Sequence, residues 1–260
     1  MTNKLYDLRS GRHIGVSLSG DPFSERIVAF FHPEGASGPF DPGPRTTRDS
    51  EVQIVAVDRP GYGASDPLPE GVRPTVESFA DDLAEYARNR GLVHPTHADR
   101  PRASMSAVGW GFGGAIALSL AARHPELVRN VVTVGLREPA RLAEHLDLPL
   151  PAAAAEEIAA PDRDWASSGL ENRLHRLKDA SALGQAYDRR AAVDVSWAST
   201  LSNVVAHTTL IYGDLDDTAT REDGSWYRHR IPGSRIAIVR DAGTAAIARV
   251  WRQILARLES

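Results

Sequence analysis

Two carboxylates, Glu34 and Asp216, are the side chains whose type and position could do chemistry in this chain. Each follows an apolar run that is typical of a buried strand, at residues 26–31 for Glu34 and 208–212 for Asp216. A positioned carboxylate can act as a general acid or base. Asp216 is the catalytic candidate. A solvated loop carboxylate is the favoured interpretation of Glu34, which is kept as a candidate for substrate binding.

A glycine-rich frame stands between a predicted strand and a predicted helix. Residues 105–108 are apolar, residues 109–113 read Gly-Trp-Gly-Phe-Gly, and an Ala/Leu-rich stretch with helical periodicity follows. This pattern predicts a strand, a sharp turn and a helix. Gly111, at the centre of the turn, has no side-chain atom that could attack a carbonyl, although glycine accepts a positive φ without a steric clash.

The same glycines match Gly-x-Gly-x-x-Gly at residues 109–114, a pattern that can bind a dinucleotide pyrophosphate through backbone amides. Such sites add an acidic residue after the next strand, where it binds the ribose. Here the next predicted strand is followed by Leu136 and Arg137, and several strands precede the glycines. The nucleotide interpretation is therefore the weaker one, and no cofactor is predicted.

The segments that position these residues alternate between strands and helices. A hairpin is predicted at residues 5–9 and 13–19, and a helix is predicted behind Thr75, a residue suited to an N-cap. Strands separated by helices imply a mostly parallel sheet. The other predicted strands are 26–31, 53–57, 105–108, 128–135, 208–212 and 235–239, and the last two helices are 222–231 and 245–258.

Between about residues 136 and 206 the pattern changes to Ala-, Glu- and Arg-rich stretches interrupted by prolines. This composition predicts inserted short helices that form a cap over the strand ends, within a single domain spanning residues 1–260. Packing onto the main domain is the favoured interpretation of the aromatic and histidine side chains in the insertion. These residues are His145, Trp165, His175 and Trp197.

Composition narrows the classes of partner. With 260 residues the chain can bury a large core, and its net charge of −4 provides no basic face for nucleic acid or an anionic membrane. There is no cysteine, so thiolate nucleophiles and disulfides are excluded. Because no run of about 18 apolar residues occurs and the first residues lack an apolar signal core, a cytoplasmic protein is predicted.

Three features together resemble the α/β-hydrolase family. Residues 58–65, Asp-Arg-Pro-Gly-Tyr-Gly-Ala-Ser, are similar to its D-x-P-G-x-G-x-S turn, and the glycine frame at 109–113 is similar to its G-x-S-x-G elbow. Residues 210–216, Leu-Ile-Tyr-Gly-Asp-Leu-Asp, resemble its acid-bearing strand end. The resemblance covers nearly the whole chain. It implies an α/β fold in which helices flank a mostly parallel sheet and a helical lid lies above it.

The resemblance also identifies two departures from the family. The family's catalytic order is serine, acid, histidine, and the corresponding positions here hold Gly111, Asp216 and Thr244. Histidine takes the proton of the serine hydroxyl, and the acid only orients that histidine. The chain therefore resembles a member without a catalytic triad. The backbone amides near Glu34 and Phe112 would correspond to the family's oxyanion hole.

The chain is similar to the aspartate epimerases of bottromycin (peptide natural product) biosynthesis in size, in fold and in the loss of both the serine and the histidine of the triad. In those enzymes the substrate's own carboxylate is the base. This resemblance implies a proton-transfer isomerase or epimerase acting on a peptide or natural-product intermediate. Two alternatives remain open: a non-catalytic binder of a small molecule or peptide, and a residual hydrolase in which Asp216 activates water. No metal site is predicted. The candidate substrate-binding residues are Glu34, Phe40, Trp110, Gly111, Phe112, Trp165 and Thr244.

Overall fold

An eight-stranded sheet is the frame of the protein in the computed structural model, which describes residues 2–92, 105–144 and 182–258. The strands are β1 (Thr2–Asp7), β2 (His13–Gly20), β3 (Ile27–Phe31), β4 (Gln53–Val57), β5 (Met105–Trp110), β6 (Val128–Val134), β7 (His207–Gly213) and β8 (Arg235–Val239). Their spatial order is β1-β2-β4-β3-β5-β6-β7-β8. Strand β2 pairs antiparallel with both of its neighbours, β1 and β4, and all other neighbouring strands pair parallel.

Helices cover both faces of the sheet, which explains why the inner strands are almost continuously apolar. The helices are α1 (Pro44–Arg48), α2 (Val76–Asn89), α3 (Phe112–Arg123), α4 (Pro139–Leu142), α5 (Ala182–Ala192), α6 (Arg221–Arg228) and α7 (Ala246–Arg257), with a 3₁₀ helix at Ser196–Asn203. One buried cluster joins a sheet face to α2 and α3 through side chains such as Phe79 and Ile116. A second cluster joins the other face to α7 through Trp251 and Ile254. This architecture confirms the predicted fold class.

Several element boundaries differ from the sequence prediction. Strand β1 ends at Asp7 because the chain then turns, with the Gly11 N–H donating to the Leu8 carbonyl at 2.8 Å. Helix α1 was not predicted. Its first turn is held by Asp41, whose carboxylate accepts from the Gly43 N–H at 2.8 Å and from the Thr47 hydroxyl at 2.9 Å.

The part of the predicted cap that is described contains α4, α5 and the 3₁₀ helix, and no strand lies within residues 136–144 or 182–206. Trp197 is 1% exposed, and its ring lies 6.5 Å from that of Tyr227. His145, Trp165 and His175 lie outside the described residues. Within the described ranges, no helix combines the length and the apolar character needed to cross a membrane.

Candidate active site

The turn between β5 and α3 has the predicted form. Gly111 has φ +55° and ψ −128°, and its N–H donates to the Val134 carbonyl at 2.9 Å. A Cβ on Gly113 would overlap the carbonyl oxygen of Phe31, and one on Gly109 would overlap the backbone of Gly113. Glycine at both positions therefore lets the helix start close against the strands, while Gly111 supplies the positive φ.

The carboxylate of Glu34 lies where a side chain on Gly111 would begin. A Cβ built on Gly111 would be 2.5 Å from Oε2 of Glu34. The other oxygen, Oε1, accepts a hydrogen bond from Nη2 of Arg137 at 3.0 Å, and the side chains of Glu34 and Arg137 are 16% and 10% exposed. The position that holds the nucleophile in a G-x-S-x-G elbow is thus reached here by an oriented carboxylate from a neighbouring loop.

Arg59 fixes the loop that carries Glu34. Its guanidinium donates to the His32 carbonyl at 2.7 Å and to the Pro33 carbonyl at 3.2 Å. The same group forms a bidentate ion pair with Asp188 of α5, with Nε–Oδ1 at 2.9 Å and Nη2–Oδ2 at 2.6 Å. Arg59 and Asp188 are both buried. A paired charge of this kind is held in one geometry, because the cation has no access to solvent.

Tyr62 completes this buried network. Its hydroxyl donates to Oδ2 of Asp188 at 2.6 Å and accepts from the Gly35 N–H at 3.3 Å. Burial raises the pKa of Tyr62 well above its ordinary value. Burial, with the Arg59 cation second, lowers the pKa of His32, whose Nδ1–H donates to the Pro33 carbonyl at 3.0 Å. His32 is therefore a neutral core histidine that supports the loop.

Asp216 lies at the same edge of the sheet, in the turn after β7. Its Oδ1 accepts three hydrogen bonds, from the Thr218 N–H at 2.9 Å, the Thr218 hydroxyl at 2.8 Å and the Ala219 N–H at 3.1 Å. Burial raises the pKa of Asp216. Its Oδ2 faces Gly135, on which a Cβ would be 3.7 Å away. One oxygen thus stabilises the turn and the other faces the end of β6.

Thr244 lies in a loop that packs against the Asp216 turn, because the Leu215 N–H donates to the Ala242 carbonyl at 2.9 Å. The Thr244 carbonyl accepts from Nε1 of Trp110 at 3.1 Å. The loop therefore lies beside the turn that carries the acid. A threonine side chain supplies no imidazole for base catalysis, so Thr244 cannot take the part of the triad histidine.

The described aromatic rings among the predicted substrate-binding residues are buried in the structure. Phe40 and Phe112 are 2% and 0% exposed. The Phe112 ring turns under α3 onto Phe79, at 6.5 Å between centroids, and the Phe40 ring packs on Trp110 at 5.7 Å. Both rings fill the interior, so the site described here makes no use of them, and their role in substrate binding stays a prediction. Trp110, the third predicted aromatic residue, is 6% exposed, and Trp165, the fourth, lies outside the described residues.

The backbone amide of Phe112, unlike its ring, could take part in the chemistry of the site. Phe112 is the first residue of α3, and the N–H groups of a first helical turn have no acceptor within their own helix. The positive end of the helix dipole lies at the same place. An oxygen that becomes negatively charged above Gly111 could therefore be stabilised by this amide. Among the described residues, no three His, Asp or Glu side chains cluster in a way that could hold a metal ion.

Comparisons with known proteins agree on the fold and indicate a chemistry. The chain is 26% identical over 215 residues to a pimeloyl-[acyl-carrier protein] methyl ester esterase of Neisseria meningitidis, a match that covers 74% of this chain and 62% of that protein. A hydrolase from Pseudomonas aeruginosa superposes with a TM-score of 0.76 at 17% identity, covering 99% and 98% of the two chains. The enol-lactonase of Burkholderia xenovorans superposes at 0.74 and 16% identity, covering 98% and 99%.

These comparisons contradict the epimerase prediction. The curated relatives are named esterases, and none of the relatives or structures compared above is named as an isomerase or epimerase. The predicted likeness to epimerases of bottromycin biosynthesis is not confirmed. That prediction rested on the loss of two triad residues. The loss of catalytic side chains does not by itself indicate which other reaction a protein catalyses. The findings favour the alternative of a residual hydrolase.

The sequence model of the alpha/beta hydrolase fold family matches residues 43–202. This range contains the turn at 58–65, the glycine elbow and the described helices of the predicted cap, and it is more than half of the chain. The elbow conformation of Gly111 and the placement of Asp216 beyond β7 agree with that match. The chain belongs to the α/β-hydrolase fold family.

Proposed function

We propose that this protein hydrolyses an acyl ester, with the Glu34 carboxylate activating water at the position where related enzymes carry a nucleophile. One observation carries the proposal: Oε2 of Glu34 lies 2.5 Å from the place of a Cβ on Gly111. The name of the relatives suggests the ester of a carrier-bound acyl chain as the substrate class. A single domain with a helical cap at about 136–206 and a cytoplasmic location are kept as parts of the proposal.

The chemistry needs no covalent intermediate. A water held by Oε2 gives its proton to Glu34 while its oxygen bonds to the ester carbonyl carbon. The carbonyl oxygen becomes negatively charged and is stabilised by the Phe112 N–H at the start of α3. When the intermediate collapses, the carbon–alkoxide bond breaks and the alkoxide takes the proton back from Glu34. Ester and water thus become acid and alcohol, and the carboxylate is regenerated.

The neighbouring residues orient Glu34. Arg137 holds Oε1 and leaves Oε2 directed at Gly111, while Arg59 holds the carbonyls of the preceding two residues. Such fixed placement matters because a general base must lie within hydrogen-bond reach of the proton that it removes. Asp216 is the competing base. It is disfavoured because its free oxygen, Oδ2, faces Gly135, whereas the three atoms nearest to a Cβ on Gly111 all belong to Glu34.

Hydrolysis of 4-nitrophenyl butyrate by Glu34→Gln, Asp216→Asn and the native protein tests the proposal. Glu144→Gln is the matched control, since Glu144 is an exposed glutamate. We expect Glu34→Gln to lower kcat about 10²–10⁴-fold, the usual contribution of a general base, and Glu144→Gln to leave kcat unchanged. Native activity should also resist serine-directed phosphonates, which separates it from a contaminating serine hydrolase.

Two results would contradict the proposal. Equal activity of Glu34→Gln and the native protein would remove Glu34 from the reaction, and loss in Asp216→Asn alone would assign the base to Asp216. If the native protein hydrolyses neither the butyrate ester nor a butyryl thioester, the protein is not an acyl hydrolase, and the non-catalytic binder is the remaining alternative.

A further inference from the structure

A second concave surface lies along the sheet face formed by β6, β7 and β8, where α7 flanks it. It encloses about 650 Å³ and extends from Asn130 in β6 and His207 at the start of β7 to Arg240 beyond the end of β8. We call it the sheet groove. Glu34 and Gly111 do not line it. Its volume falls in the range of about 300–1,000 Å³ that is usual for small-molecule sites.

The charged side chains among the described residues that line the sheet groove are all arginines. Four arginines line it, and none of the described residues that line it is Asp or Glu. This concentration of cations is unexpected in a chain with a net charge of −4. The four residues are Arg235, Arg240, Arg249 and Arg257.

Two of these arginines are free to meet a ligand. Arg235 and Arg240 are exposed, and neither forms an ion pair within the described part of the chain. Arg249 donates to the carbonyls of Arg240 and Asp241, contacts that hold the side chain in place but leave its charge uncompensated. A cation cluster with no Asp or Glu among the described lining residues attracts an anion, because concave walls of low dielectric focus its potential.

The floor of the sheet groove is apolar. It is lined by four buried side chains and by Ile238, which is 40% exposed. The four are Val132, Ile211, Val250 and Ile254. An apolar floor under a cationic rim matches a ligand that has an apolar part and an anionic end. Such a ligand gains free energy from burying its apolar part at about 25 cal/mol per Å² and from pairing its charged end with guanidinium groups.

We propose that the sheet groove binds an amphipathic anion, with an alkyl chain on the floor and a carboxylate or phosphate head between Arg235 and Arg240. The proposal is independent of the ester hydrolysis assigned to Glu34. The concave shape and the enclosed volume favour such a small molecule over a flat macromolecular partner.

Calorimetric titration with monomeric dodecanoate and dodecyl phosphate tests the proposal. We expect both to bind, and the phosphate to bind more tightly because it carries more charge. The double substitution Arg235→Gln and Arg240→Gln should weaken both Kd values at least tenfold. Arg221→Gln with Arg228→Gln is the matched control, since these exposed arginines of α6 do not line the groove, and its Kd should stay within twofold of native.

Three results would overturn the proposal: equal Kd values for the two double variants, binding of uncharged dodecanol as tight as that of dodecanoate, or no saturable binding of either anion. If the groove variant fails to fold, a photoreactive diazirine dodecanoate on the native protein decides the matter. Label on residues 249–258 is expected, whereas label confined to the loop around Glu34 would assign binding to the active site and refute the sheet groove.

Discussion

Replacement of Gly111 by alanine should destabilise the protein through two separable effects. At φ +55° a residue with a Cβ is strained whatever its neighbours, at a cost of about 1–3 kcal/mol. The new Cβ would also meet Oε2 of Glu34 at 2.5 Å. Because that oxygen ends a flexible side chain, the carboxylate moves away and its ion pair with Arg137 is lost. The pair is only partly exposed, so we expect its loss to cost about 1–2 kcal/mol more.

A double-mutant cycle with Glu34→Ala separates the two effects. In the native background Gly111→Ala should lower the free energy of unfolding by about 2–5 kcal/mol, and in the Glu34→Ala background by about 1–3 kcal/mol. Urea denaturation of the native protein, the two single variants and the double variant should give a coupling free energy of about 1–2 kcal/mol between the two substitutions. Gly71→Ala is the control, since Gly71 has φ +80° with no atom within 4 Å of its Cβ, and it should show no coupling to Glu34. Coupling below about 0.3 kcal/mol at Gly111 would mean that Glu34 does not occupy the nucleophile position.

Two further predictions concern the frame around the site. Asp188→Asn leaves the buried Arg59 cation uncompensated and should lower the free energy of unfolding by about 3–5 kcal/mol. Asp194→Asn is the control, because the pair of Asp194 with Arg73 lies at the surface, and it should lower the free energy of unfolding far less. Similar losses of the two variants in urea denaturation would refute the role of the buried network. The hydrogen bond that the His13 ring donates to the Asp66 carboxylate raises the pKa of His13 above 6.5. The contribution of His13 to stability is therefore full below pH 6.5 and is lost as pH rises through the raised pKa. His13→Gln should therefore destabilise at pH 5 and not at pH 9, and an effect that is larger at pH 9 would reverse the assigned sign.

Patterns in the sequence predicted the frame of the site because they are local. The apolar runs at 26–31 and 53–57 and the glycines at 109–113 specify buried strands and a tight turn wherever they occur. The position of the Glu34 carboxylate depends instead on Arg137, which is 103 residues away in the chain, and on the missing Cβ of Gly111. No periodicity encodes such a contact.

The buried network could not be predicted for the same reason. Asp188 lies in the stretch Gly-Gln-Ala-Tyr-Asp-Arg-Arg-Ala-Ala at residues 184–192, where nothing distinguishes an ion-paired aspartate from a solvated one. Its partner Arg59 belongs to the recognisable turn at 58–65, but 129 residues separate the two. Conversely, Phe40 and Phe112 were predicted to bind substrate because they lie close to the site in sequence. Their burial depends on which way each ring turns from the backbone, and that is set by packing.

The most direct test of the central claim follows the oxygen atom of water. A single turnover of a methyl ester in H₂¹⁸O, with protein in excess over ester, is quenched and analysed by mass spectrometry. Attack by a water that Glu34 activates places one ¹⁸O in the released acid and none in the protein, and no acyl adduct forms. An ¹⁸O atom in the peptide that contains Glu34 would show that the carboxylate itself attacks the ester, and an acylated serine would show a conventional nucleophile; either result contradicts the account.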